Sequence, residues 1–334
     1  MGTGNSLKIV FLSALAALSL ALGTPALHAQ TMRIGLTDPL DTPHGQAMVL
    51  FKEIMEKQST GRVSVKLFPS LQLGQIVEQI EGVKQGSQEM MMATPAWFSR
   101  FYPAADVFSL PYLVTDWEGG ERMLRSQIAA KVAAEAERAT GIKIAGWLPV
   151  GFRNVINKKR PVNRLADLSG LKIRLQNSPV QIATFQALGA NPVALAWGET
   201  YQAVQTGVVD GLENSLPILV SNKFSEIAPF VSLTQHFFEF FLVFVNPKFY
   251  ASLSAEDKKI FDNAMLQAQA RCLELVKKAE ESAVADLQKQ GAKANNVTPA
   301  ELKSFQAAVK PVYEEFGKKF EPTLTELRNA IGGK

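Results

Sequence analysis

The sequence is poor in the residues on which disulfide-held folds and most enzyme chemistry depend. It has one cysteine, Cys272, so no intramolecular disulfide is possible and a small stapled fold is excluded. Past the first 29 residues only His44 and His236 remain as histidines, which suggests neither a closely spaced His/Cys zinc set nor a Cys/His nucleophile pair. A G-x-S-x-G elbow, a P-loop, an H-E-x-x-H helix and a dinucleotide fingerprint are all absent. With 31 Asp and Glu, acid/base chemistry by carboxylates stays open. The formal charge of +4 is diffuse, and no Arg/Lys stripe with interleaved aromatics argues for a nucleic-acid partner.

Long apolar runs are also scarce. The one that stands out, Ile9 to Leu22, follows Lys8 and leads through Pro25 into "LHAQ". This is the order of a secretory leader, with cleavage expected after Ala29 although Leu27 replaces the usual small residue. The run is shorter than the roughly 20 residues a membrane span requires. "HFFEFFLVFV" (236–245) is apolar but carries Glu239 and suits a buried strand. The expectation is a leader over 1–29 and a soluble mature protein in the periplasm.

What is present is an alternation of periods. "MRIGLT" reads as a strand, and Met48, Phe51, Ile54 and Met55 trace one side of a helix. "RVSVKLFP" returns as a strand, so the chain begins as an α/β unit. The pattern continues with a helix in "LGQIVEQIEGVKQGS", a strand in "QEMMMAT", a long helix over 117–140 and a strand in "IKIAGW". After Gly151 follow a strand in "LKIRL", a helix over 179–188, a strand in "NPVAL" and a helix over 199–206. Beyond Leu253 the tail reads as almost entirely helical. Phe261, Met265, Cys272, Val276, Ala279, Ala283 and Leu287 recur at spacings of three, four and seven, behind a cap at Ser254 and an acid at Asp257. A continuous helix there would be about 50 Å long and could brace two domains; the alternative is a broken pair.

A binding protein needs a cleft, a few convergent polar groups and a way to close. Arginine suits a carboxylate because its planar fork makes two parallel charge-assisted hydrogen bonds. Arg153 in "VGFRNVINKKRP" and Arg174 in "GLKIRLQNSP" are the candidates in loops or at strand ends. By the residues alone, Arg174 could equally lie on the solvated face of an edge strand.

The ordered series "STGRVSVKLFPSLQLG", "FYPAADVFSLPYL", "DLSGLKIRLQNSP", "LGANPVAL", "ETYQAVQTGVVDGLEN" and "FSEIAPFVSLTQH" resembles the C4-dicarboxylate-binding (DctP-like) family of periplasmic solute-binding proteins of TRAP transporters. The resemblance spans essentially the whole mature chain. It implies a two-lobed α/β fold with a ligand cleft between the lobes, chain crossings near 149–151 and 235–240, and a carboxyl-terminal helix bracing both. Lobe 1 is expected over 30–150 and 240–279, and lobe 2 over 151–239 and 280–334.

The resemblance also implies a function: capture of a small organic acid for delivery to TRAP membrane permease subunits, by a monomer without catalytic activity, cofactor or metal. Arg174 matches the family's carboxylate clamp, Asn214 the asparagine that bonds the same carboxylate, and Arg153 a second cationic position. Trp197 matches an aromatic wall, and Met92, Thr94 and Trp97 fall where the first lobe approaches the ligand. His44 and Glu239 are further lining candidates, with an exposed turn and an interlobe ion pair as their respective alternatives. In sialic acid binders an acidic residue occupies the place of Thr94, which argues against that ligand. The expected ligand is a hydrophobic or aromatic monocarboxylate, such as a 2-hydroxy or 2-oxo acid. A C4-dicarboxylate is the alternative, and a sensory binding protein or a secreted enzyme stand behind both.

Overall fold

The computed structural model describes residues 29–333, so the expected leader lies outside the described residues except for Ala29. The first half of the mature chain builds β1 (Gln30–Gly35), α1 (Pro43–Gln58), β2 (Val63–Phe68), α2 (Ile76–Gln85) and β3 (Met90–Ala93). Each apolar stripe does what its period requires: Met48, Phe51, Ile54 and Met55 of α1 are all buried. The strand β1 pairs in parallel with β2 and β3 on its two sides.

The second half follows the same grammar with β5 (Lys172–Leu175), α6 (Pro179–Ala187), β6 (Asn191–Ala194), α7 (Trp197–Thr206) and β7 (Gly211–Ser215). Two long strands join the halves: β4 (Lys143–Asn157) and β8 (Phe230–Val245). The resulting sheet runs β2-β1-β3-β8-β4-β7-β5-β6, with β9 (Lys293–Asn296) paired to the first residues of β8. "IKIAGW" is therefore only the first part of a strand that passes through the crossing rather than ending there.

The crossing has a local cause. Between Pro149 and Gly151 the β4 register on β8 slips, and Gly151 takes a φ of 99°, which a side chain would rarely adopt. A Cβ at Gly151 would also lie 2.1 Å from a carboxylate oxygen of Glu280. That carboxylate accepts the Phe152 N–H at 3.1 Å and the Trp117 indole N–H at 2.8 Å, which fixes the bulge.

The tail helix, α10 (Ala255–Lys289), is continuous over 35 residues. Ser254 caps it by accepting the Asp257 N–H at 3.0 Å. Its stripe changes company along its length. Phe261, Met265, Cys272 and Val276 pack with α1, β1 and the far end of β8, and Phe261 meets the Phe51 ring edge-on at 5.2 Å. Ala283 and Leu287 join a separate core with Val204, Leu212 and Leu219.

One expectation changes. The helix over 117–140 is two helices, α4 (Trp117–Arg125) and α5 (Gln127–Thr140). Ser126 between them sends its N–H to the Met123 carbonyl and caps α5 through its hydroxyl, which accepts the Ala129 N–H at 3.2 Å. The tail is almost entirely helical, with the short β9 between α10 and α11 (Pro299–Ala308). Among the described residues no helix is long and apolar enough to cross a membrane.

Candidate ligand site

Between the halves lies a cavity. From the first half it takes Thr37, Asp38, Ile76, Thr94 and Trp97. Val150, Arg153 and Phe241 come from the crossing strands. Arg174, Gln176, Trp197, Asn214 and Ile218 complete it from the second half. Thr37, Asp38, Thr94 and Gln176 lie just beyond strand ends, Arg174 and Asn214 one residue short of them, and Arg153 within β4.

Arg174 is 1% exposed on β5, which lies between β7 and β6 and is not an edge strand. Its Nε and Nη2 both donate to the Leu195 carbonyl, at 3.1 and 2.7 Å. The guanidinium sits between two indoles, 5.8 Å from the Trp97 ring and 5.5 Å from the Trp197 ring. Among the described residues no carboxylate lies within ion-pair distance of it, and Nη1 has no protein acceptor. Burial pulls its pKa down to about 9, a measure of how poorly this cation is compensated.

Arg153 is 2% exposed and differently placed. Its Nε and Nη2 make a bidentate pair with Glu213 at 2.5 and 2.7 Å, Nη2 also donates to the Glu213 carbonyl, and Nη1 donates to Glu239 at 3.1 Å. Burial opposes its charge, but the two carboxylates outweigh that and raise its pKa above the ordinary value. Glu213 is further held by His236 Nε2 at 3.1 Å, and the other nitrogen of that ring meets the Thr234 hydroxyl at 2.8 Å.

Glu239 faces this network. It accepts from Arg153 and, at 3.0 Å, from Gln176 Nε2, while burial pushes its carboxyl up to about 7. The Gln176 Oε1 in turn accepts the Thr94 hydroxyl, which ties the two halves together across the cavity. Asp38 reaches across similarly, accepting Asn222 Nδ2 at 3.2 Å. Both contacts join the two halves beside the cavity.

The remaining predicted residues divide cleanly. Thr94, Trp97, Arg153, Arg174, Trp197 and Asn214 line the cavity. Asn214 accepts the Ser215 N–H through Oδ1, which leaves its Nδ2 for the cavity. Met92 does not line it: alternation along β3 sends Met90 and Met92 into the core beneath α1, and the chain reaches the cavity only at Thr94. His44 neither lines the cavity nor is exposed. It is buried in the first turn of α1, its Nε2 2.9 Å from the Pro149 carbonyl and its ring 4.8 Å from Phe241, and burial lowers its pKa to about 4. Glu239 also stays off the lining, behind Arg153.

Thr37, Asp38 and Gln176 are lining residues that the sequence reading missed. The available signal was position, since Thr37 ends a predicted strand and Asp38 and Gln176 directly follow predicted strands.

A buried cation without an ion-pair partner, facing a cavity between two α/β halves, is the arrangement expected of a solute-binding protein for small anions. Residues 34–319 match the bacterial extracellular solute-binding protein family 7 (DctP), and the chain belongs to that family. The chain is 29% identical over 323 residues to the 2,3-diketo-L-gulonate-binding periplasmic protein of Escherichia coli K12, covering 96% of each chain. It is 31% identical over 307 residues to the C4-dicarboxylate-binding periplasmic protein of Rhodobacter capsulatus, covering 91% of each. Its fold matches the TRAP periplasmic solute-binding protein of Polaromonas sp. JS666 bound to D-erythronate. That match has a TM-score of 0.86 at 29% identity, covering 90% of this chain and 98% of that one. The family is one of binding proteins rather than enzymes, and its TRAP members bind small organic acids and work with membrane permease components.

Proposed function

We propose that this chain captures a small monocarboxylate in the periplasm, after loss of a leader ending at Ala29, and presents it to the permease subunits of a TRAP transporter. The observation that carries the reading is Arg174, a buried guanidinium with no counter-charge and a free Nη1 beside a cavity. A carboxylate there would accept a fork of hydrogen bonds from Arg174 and a further one from Asn214 Nδ2. Trp97 and Trp197 would cover the ligand from two sides. In this reading 30–150 with 240–279 form one lobe, and 151–239 with 280–334 the other. Supporting that division are the crossings at Gly151 and Glu239 and the change of core along α10 between Val276 and Ala283.

A monocarboxylate is favoured over a dicarboxylate because Arg153 already spends its donors on Glu213 and Glu239. The expectation of an aromatic or simply hydrophobic acid gains no support. Ile76, Val150, Ile218 and Phe241 supply apolar wall, but Thr37, Asp38, Thr94 and Gln176 are interspersed with them. Two of the relatives are named or solved with polyhydroxylated monocarboxylates, 2,3-diketo-L-gulonate and D-erythronate. A dicarboxylate remains the second reading because the 31% identical relative is named for one.

Calorimetric titration with D-erythronate, phenyllactate, succinate and malate tests this directly. A monocarboxylate should bind most tightly, raise the thermal midpoint, and lose affinity in Arg174→Lys, which keeps charge but lacks the fork. Binding unaffected by Arg174→Lys would sink the assignment, and a tenfold preference for succinate or malate would establish the second reading.

A further inference from the structure

Resting on the monocarboxylate reading, we propose that Asp38 is the specificity-determining residue of the cavity: an acceptor for a hydroxyl of the ligand, so that the protein selects hydroxylated acids over their deoxy counterparts. Asp38 is 2% exposed and lines the cavity from the loop after β1, on the half of the protein opposite Arg174. Among the described residues no cation lies at ion-pair distance from it. Its Oδ2 accepts the Thr37 hydroxyl at 2.6 Å, and its Oδ1 accepts Asn222 Nδ2 at 3.2 Å. The Trp197 indole N–H is a third neutral donor to it, and a carboxylate offers about four acceptor positions, so roughly one is left for a molecule in the cavity.

A buried carboxyl with acceptor capacity to spare is costly unless something donates to it. The cavity therefore holds two incomplete groups of opposite character, a guanidinium lacking an anion and a carboxyl lacking donors. A hydroxy acid completes both, its carboxylate on Arg174 and a hydroxyl proton shared with Asp38. A deoxy acid completes only the first and strands the second beside its own apolar carbon. An acid with an ammonium at that end would also complete Asp38. The donors already on Asp38 are neutral, and burial raises its pKa against their pull and that of the nearby cation Arg153, so a neutral hydroxyl fits the local charge better than a further positive group.

The test measures two affinities in each variant, using four- to six-carbon aldonates, D-erythronate among them, and the straight-chain acids of equal length. Wild type should prefer the best aldonate over its deoxy partner by about tenfold to a hundredfold. In Asp38→Asn and Asp38→Ala the aldonate should weaken at least tenfold while the deoxy acid binds as before or more tightly, since a negative charge has left the cavity. In Asn222→Ala, which takes a donor from Asp38 and breaks the contact across the halves but keeps the carboxyl, the preference for the aldonate should persist. A preference unchanged in both Asp38 variants overturns this proposal and leaves the monocarboxylate reading standing. Failure of every acid to bind wild type overturns both. Tighter binding of the matching amino acids than of the aldonates, lost in Asp38→Asn, replaces the hydroxyl with an ammonium and overturns this assignment.

Discussion

Arg153 and Arg174 line one cavity, lie on strands separated only by β7, and are equally buried, yet their surroundings differ completely. Arg153 is enclosed by Glu213, Glu239 and the Glu213 carbonyl. Arg174 has a single carbonyl and two aromatic faces. A buried charge with its partners supplied by the chain serves the architecture. A buried charge without them is a cost that the fold carries until a partner arrives from solution.

The sharpest way to break this comparison is the same substitution at both sites. Arg153→Met leaves Glu213 and Glu239 buried without their cation and should cost about 3–5 kcal/mol of stability, seen as a lowered denaturant midpoint without ligand. Arg174→Met should leave that midpoint unchanged or raised, while acid affinity falls roughly thirty to several thousand fold, the equivalent of about 2–5 kcal/mol. Equal loss of stability in the two variants would show that both arginines are structural.

A smaller effect sharpens the Arg153 side. Burial first, with Glu213 adding to it, raises the Glu239 carboxyl to about 7 against the opposing pull of Arg153. The folded state thus binds the Glu239 proton more tightly than the unfolded state. Its contribution is present below the ordinary glutamate pKa and is lost as pH rises toward 7. His44 works the other way: its pKa is lowered to about 4, so its contribution is present above about 6.5 and is lost on acidification. Glu239→Gln should remove the first slope and leave the second, so that urea midpoints of the variant rise more steeply from pH 4.5 to 7 than those of wild type. Parallel curves would mean that Glu239 titrates normally.

The smallest effect lies away from both arginines. Ser126→Ala deletes the cap of α5 and should cost about 1 kcal/mol with no change in acid affinity. An affinity change in this variant would mean that stability and binding are not separable, which would weaken the Arg153 and Arg174 readings together.

The parts of this molecule legible in its sequence are those in which burial follows a period. The β1-α1-β2 unit and the stripe of α10 announce themselves because one face meets water and the other does not. The central strand β7 went unread because "GLENS" is polar yet buried throughout: Glu213 faces Arg153 and Asn214 faces the cavity. Its polarity is a property of the site, and periodicity has nothing to detect there. Asp38 and Gln176 were hidden for a related reason. Residues just past strand ends look like loop residues until the fold turns two such ends toward each other. His44 shows the converse, a polar residue whose interest lay in supporting the Pro149 carbonyl at the crossing. Arg174 was ambiguous by local pattern, and only the ordered family motifs separated it from a solvated strand face.

The helix α10 has a consequence for how the protein comes apart. One continuous rod contributes Phe261, Met265 and Val276 to one core and Ala283 and Leu287 to another, while Glu280 secures the bulge at Gly151 between them. Melting either half would expose part of that rod and strain the remainder, so the halves share one fate. Heating should give a single cooperative transition, and amide protons in the middle of α10 should exchange only through opening of the whole chain. The rod thereby ties the two halves into a single thermodynamic unit.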